Sequence, residues 1–140
     1  LRIEKGYGSW GREYSPEYWP QESALDRLVK MDKPGFLNRE AYARIADQPA
    51  RQQLAMVAIE ALDADASGGE PIFLPDGTPA GQVTSGAYGY SVGQSLALCY
   101  LKAGLAGPGD KVVVQVIGRP HQATVLARPP FDPEGARLRG

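Results

Sequence analysis

The chain has one cysteine and one histidine in 140 residues. A single thiol, Cys99, rules out an internal disulfide and with it the stapled scaffold of small secreted proteins. One histidine without a cysteine pair rules out the usual zinc ligand sets, so no metal site is expected. Charge of one sign is also scarce. The net charge of −1 gives no global field to draw nucleic acid or an anionic membrane, and neither is expected as a partner. No apolar run approaches the roughly 20 residues of a membrane-spanning helix, and no secretory signal pattern is present. The expected compartment is the cytoplasm. Cys99 itself sits in the apolar run Leu96–Leu101 and reads as a small buried hydrophobe. His121, beside Pro120, reads as a solvent-facing residue of a hairpin turn.

What the chain does hold is punctuation: 17 glycines and 12 prolines. They divide it into three regions. Residues 1–35 are rich in aromatics and proline and have little periodicity. Gly6 is placed to end a helix begun upstream, since glycine is favoured just past a helix terminus. Ser23–Lys33 is ambiguous, because Ala24, Leu25, Leu28 and Val29 fit a helical stripe. Residues 38–47 read as one short helix capped by Asn38, with Leu37, Ala41 and Ile45 as its apolar stripe and Pro49 as its stop. From Gln53 onward the pattern is β. Leu54–Ile59, Pro71–Leu74, Ala80–Thr84, Leu96–Leu101, Lys111–Ile117 and Gln122–Ala127 are strand candidates. Pro75-Asp76-Gly77-Thr78 and Gly118-Arg119-Pro120-His121 are the expected hairpin turns. Short strands spaced by such turns predict an α+β chain dominated by a C-terminal antiparallel β-barrel of about six strands.

Three motifs carry possible chemistry. Gly6-x-Gly8-x-x-Gly11 matches the dinucleotide-binding fingerprint as a string. That fingerprint works only between a buried strand and a helix, and neither flank fits: Arg2, Glu4 and Lys5 precede it, and Pro16 and Pro20 follow. Asp63-x-Asp65-x-Ser67-Gly68 resembles the start of a calcium loop, but the twelfth position is Leu74 where a bidentate Glu is needed. Ser85 lies outside a G-x-S-x-G elbow, so Thr84 and Ser85 are expected to bond nearby backbone at a strand end.

Five segments in order resemble one known family. They are Arg2-x-Glu4-x-Gly6 with Trp10-Gly11 and Glu13; Val29–Lys33 followed by Phe36–Ala41; Gly81-Gln82-Val83-Thr84-Ser85-Gly86; Ser95–Leu98; and Pro130-Phe131-Asp132-Pro133. These resemble the C-terminal region of the glycine-cleavage T-protein (aminomethyltransferase) family. The version with Lys5 and Trp10 is most similar to the folate-binding C-terminal part of dimethylglycine and sarcosine dehydrogenases.

The resemblance implies that residues 1–35 end a folate-binding domain and residues 36–140 form the barrel domain. It implies a fragment of a tetrahydrofolate-dependent one-carbon (aminomethyl) transfer enzyme of the flavin-dependent dimethylglycine/sarcosine dehydrogenase-like type. Its partners would be the N-terminal folate-binding and FAD domains of the same parent chain, with FAD held outside this segment. The alternatives are a free-standing T-protein of glycine cleavage and a non-catalytic barrel that covers the folate pocket. The family's catalytic carboxylate and the acid that pairs with the pterin edge lie in the N-terminal half, so no catalytic residue is expected here. Three folate-binding candidates remain. Trp10 matches the family's [YW]-G aromatic; the cluster it forms with Tyr7, Tyr14, Tyr18 and Trp19 reads either as core and interface packing or as a flat wall for the pterin ring. Arg27 stands where relatives often carry a pocket-facing aromatic, and the family pattern makes residues 28–31 a strand, so that Leu25, Arg27 and Val29 would share a face. Arg137 lies where the family's tail folds back toward the cofactor. Asn38 replaces the glycine of the family's F-I-G-R-E segment, which asparagine's tolerance of unusual φ would accommodate.

Overall fold

A computed structural model describes residues 1–140, apart from the side chain of Leu138. Six strands, β1 (Gln52–Ile59), β2 (Pro71–Phe73), β3 (Pro79–Gly89), β4 (Gln94–Lys102), β5 (Lys111–Val116) and β6 (Arg119–Val125), close into an antiparallel barrel. Their order around the barrel is β1-β4-β3-β2-β5-β6. Two short helices, α1 (Arg39–Ala46) and α2 (Ala136–Arg139), flank it, and a single 3-10 turn spans Asp26–Leu28.

Alternation decides what each strand buries. In β5, Val112, Val114 and Val116 point inward while Lys111, Val113 and Gln115 do not. Val57, Ile72, Val83, Ala97, Cys99, Leu101 and Val125 are among the residues that join them in the interior. The strand β4 breaks this pattern, because every residue from Ser95 to Leu101 is buried. Its outward face, Leu96, Leu98 and Tyr100, is covered by the opening segment. Ile3 packs with Leu96, Leu98 and Met56, and the Tyr18 ring stacks on Tyr100 at 3.8 Å. A strand buried on both faces reads as a continuous apolar run, as Leu96–Leu101 does.

The turn between β5 and β6 is tighter than the sequence suggests. Val116 pairs with Arg119, so the loop is only Ile117-Gly118, both with positive φ (48° and 71°). That geometry matches the twist of paired strands. Arg119, Pro120 and His121 therefore belong to β6 rather than to a turn, and His121 is half-buried opposite Val114. Proline is tolerated at 120 because β1 pairs with β6 only from Ala123 onward, leaving that stretch an edge.

The expected strand at 28–31 is absent. The backbone from Pro20 to Lys33 closes on itself instead: Leu25 and Asp26 N–H donate to Pro20 O, Leu28 N–H to Leu25 O and Val29 N–H to Asp26 O. No neighbouring strand offers a ladder here among the described residues, so local turns satisfy the chain. Asn38 does precede α1, but with φ 64° and without a side-chain capping bond. The stripe Leu37, Ala41 and Ile45 is not buried, and Leu37 is 89% exposed.

Candidate functional site

The opening segment is a strap held on the outside of the barrel. Its grip comes from three carboxylates at nine-residue intervals, Glu4, Glu13 and Glu22, all buried. Each joins a different part of the barrel.

Glu4 accepts from Ser91 N–H (2.6 Å) at the tip of the β3–β4 hairpin. Burial pushes its carboxyl up, but hydrogen bonds led by the Ser91 N–H outweigh that and hold it below the usual value. Glu13 accepts from the Ser85 hydroxyl through Oε1 and from Ser9 N–H (2.7 Å) through Oε2, with Arg2 3.5 Å away. Its carbonyl accepts from the Tyr100 hydroxyl (2.8 Å) on β4. Burial again opposes ionisation, and hydrogen bonds led by Ser85 keep this carboxyl below its usual range. Glu22 accepts from Arg51 Nε (2.8 Å), Arg51 Nη2 (2.7 Å), Arg51 N–H (3.0 Å) and Trp19 N–H (2.9 Å). The Arg51 guanidinium is the main reason its carboxyl falls to about 2. That guanidinium also lies over the Trp19 ring, 4.4 Å from its centre.

Ser85 was expected to bond backbone, and it meets a carboxylate instead. Only Thr84 behaves as expected, donating to Leu98 O (3.1 Å). The cause is a bulge: Val83 opposes Cys99 and the next paired residue, Ser85, opposes Leu98. The extra residue reverses the strand's parity and turns Ser85 from the barrel interior to the outer face, under the strap.

The glycine fingerprint receives its explanation here. Tyr7 N–H donates to Arg2 O and Gly6 N–H to Ile3 O, the bonding pattern that closes a helical turn with glycine at positive φ. Gly8 lies against the Tyr14 ring, where an added Cβ would come within 2.5 Å of Cζ. The glycines serve a turn and a close approach, not a pyrophosphate.

The C-terminal tail returns to the same strap. Lys5 Nζ pairs with Asp132 Oδ2 at 3.0 Å, Phe131 N–H donates to Glu4 O at 3.3 Å, and Pro129 packs on Gly6. Arg137 follows on α2, with its guanidinium 5.3 Å from the centre of the Phe131 ring.

The aromatic cluster divides. Tyr14, Tyr18 and Trp19 are packing residues. Trp10 is 87% exposed, on the loop Ser9–Tyr14 beside a groove of about 450 Å³ lined by Gly11, Arg12, Tyr18, Gln82 and Thr84. Arg27 is exposed on the 3-10 turn, and its Nε donates to Ala24 O (3.2 Å). Without a strand, the parity that would turn it toward a folate pocket is gone. No described contact joins Trp10, Arg27 and Arg137. A larger groove, about 780 Å³ among Leu62, Asp63, Tyr88 and Ser95, shares no residue with the Trp10 loop. Its acids are already engaged: Asp65 with Ser95 (2.6 Å), Asp63 with Arg119 (3.6 Å) and Glu60 with Lys111 (3.1 Å). Cys99 is buried in the barrel, and burial pushes its thiol up to about 12. Among the described residues no helix is long and apolar enough to cross a membrane.

A strapped six-stranded barrel with these motifs has known counterparts. Residues 51–132 match the glycine cleavage T-protein C-terminal barrel domain. The chain belongs to this family. It is 34% identical over 140 residues to the mitochondrial dimethylglycine dehydrogenase of Mus musculus, aligning over 99% of this chain and 16% of that one. It is 35% identical over 147 residues to the 4-methylaminobutanoate oxidase (formaldehyde-forming) of Paenarthrobacter nicotinovorans, over 100% of this chain and 17% of that one. An aminomethyltransferase of Moorella thermoacetica is 34% identical over 129 residues, covering 92% of this chain and 35% of the other. The crystal structure of the glycine cleavage system aminomethyltransferase T from Bartonella henselae superposes with a TM-score of 0.84 at 22% identity, over 95% of this chain and 37% of that one, and shows the same fold. The chain thus spans about a sixth of the length of the dehydrogenase and oxidase it matches.

Proposed function

We propose that this chain is the C-terminal part of a tetrahydrofolate-dependent one-carbon transfer enzyme whose N-terminal flavin domain oxidises an N-methyl amine. Residues 1–35 would complete the folate-binding domain and residues 36–140 would form the barrel against it. The observation that carries the reading is Trp10, a large aromatic 87% exposed at the family's [YW]-G position, on a loop held by the bonded N–H groups of Ser9, Gly11, Arg12 and Tyr14. A planar ligand with a polar edge needs such a face.

Bound tetrahydrofolate would supply the nucleophilic nitrogens that capture the one-carbon unit. The chain's own contribution is to present Trp10 as a stacking face and, from the tail docked on Lys5 and Glu4, Arg137 as a cation for a carboxylate. We leave Arg27 out of this wall. The uncovered stripe on α1 and the exposed Leu28 and Leu37 are the apolar surface that the remainder of the parent would cover. The dehydrogenase, the oxidase and the aminomethyltransferase all align over nearly the whole of this chain, and it is the Lys5 and Trp10 form of the opening motif that favours the flavin-linked parent.

The test is a product assay on the full-length parent with an N-methyl amine. With tetrahydrofolate present, the released carbon should appear as 5,10-methylenetetrahydrofolate in place of formaldehyde. Formaldehyde yield independent of folate would overturn the proposal.

A further inference from the structure

We propose that Glu13 is the residue that positions Trp10: its buried carboxylate locks the loop Ser9–Tyr14 to the barrel, so that the indole is held at a fixed place for its ligand. What Trp10 touches rests on the folate reading above; what Glu13 holds rests on geometry.

Trp10 has almost no grip of its own, since its side chain is nearly all in solvent. The backbone on either side fixes it. Ser9 N–H donates to Glu13 Oε2, Tyr14 N–H to Ser9 O (3.1 Å) and Gly11 N–H to Tyr14 O (2.9 Å), and Trp10 bridges Tyr14. These bonds converge on residues 13 and 14. Residue 13 is in turn tied to two strands, through Ser85 on β3 and through Tyr100 on β4. The bulge at Thr84 is what brings Ser85 to the outer face to meet it.

A carboxylate is a poor choice if adhesion were the only purpose. Burying a charge costs stability that an apolar residue of similar size would not. It does give direction. Its two oxygens accept from opposite sides, one from the strap at Ser9 and one from the barrel at Ser85, and so fix one relative to the other.

The experiment uses the full-length parent labelled with 5-fluorotryptophan. The ¹⁹F resonance lost in Trp10→Phe is that of Trp10. Glu13→Ala should shift or broaden this resonance and leave that of Trp19 in place. It should raise the KM and Kd for tetrahydrofolate about fivefold to tenfold with kcat within about twofold, the pattern of lost positioning for binding. In a Trp10→Ala background the same substitution should change Kd by less than about twofold, because its effect passes through the indole. Glu13→Gln should restore most of the affinity, since the amide keeps an acceptor for Ser9 and can donate to Ser85 Oγ. If Glu13→Ala does not fold, Ser85→Ala, which removes the barrel-side donor, carries the same measurements. An unchanged Trp10 resonance, or a Glu13→Ala effect that persists in full without Trp10, overturns the positioning role. An unchanged Kd in Trp10→Ala overturns the folate reading instead.

Discussion

Replacing Arg51 by alanine should loosen the far end of the strap and leave the barrel standing. Arg51 gives Glu22 two side-chain hydrogen bonds, at 2.8 and 2.7 Å, and covers the Trp19 ring. Without them Glu22 stays buried as a carboxylate, with Trp19 N–H and the backbone N–H of residue 51 as its remaining donors. Breaking a buried pair costs roughly 3–5 kcal/mol; because about half of the Arg51 side chain is in solvent, this falls to about 2 kcal/mol. That is about a thirtyfold loss of protection against local opening. Hydrogen exchange on the full-length parent reads it at the amides of Trp19, Glu22 and Leu54, the last of which donates to Glu22 O (2.7 Å). Amides of β5, such as Val114, should keep wild-type protection. The pH dependence has a definite sign. Glu22 titrates near 2 when folded and near 4.5 when unfolded, so its contribution is fully present above about 4.5 and is lost as pH falls toward 2. In Arg51→Ala, protonation relieves an unpaired buried charge. The stability gap between wild type and Arg51→Ala should therefore narrow between pH 4.5 and 2. A gap that is constant across that window, or unchanged protection at Leu54, would refute the ion pair as the anchor.

Gly8→Ala should detach the middle of the strap, since its Cβ would meet the Tyr14 ring at 2.5 Å; a cost of roughly 1–3 kcal/mol is expected, and an unshifted melting curve would show that the ring can step aside. The 140-residue chain alone should show no aminomethyl transfer to tetrahydrofolate, because the family resemblance implies that the catalytic carboxylate lies in the N-terminal half of the parent; turnover above a buffer control would contradict this.

The barrel was legible because its turns advertise themselves. Pro75-Asp76-Gly77-Thr78 forms the expected turn, with Gly77 at φ 87° and Thr78 N–H bonded to Asp76 Oδ1. The β5–β6 turn was misplaced because a β-branched residue, Ile117, takes the left-handed conformation that composition assigns to the Gly-Arg-Pro stretch after it. The strand expected at 28–31 came from family pattern alone, and a strand needs a neighbour that this segment does not contain. The three strap carboxylates were hidden by the ordinary rule that charged residues face water. Their nine-residue spacing, in a segment with few aliphatics to bury, was the available signal. Glu13 surfaced only as part of a motif. Ser85 could not be matched to it from sequence, because the pairing depends on a one-residue bulge that reverses the parity of β3.

The most direct measurement of the central claim is a titration of tetrahydrofolate into the full-length parent and its Trp10→Ala variant, beside the two melting curves. The indole is 87% exposed, so its removal should leave the melting temperature within about 1 °C, while the loss of a stacking face should weaken binding by roughly 1–3 kcal/mol. Equal folate affinity in the two proteins, or a melting temperature lowered by several degrees, would contradict the account of Trp10 as part of a folate wall.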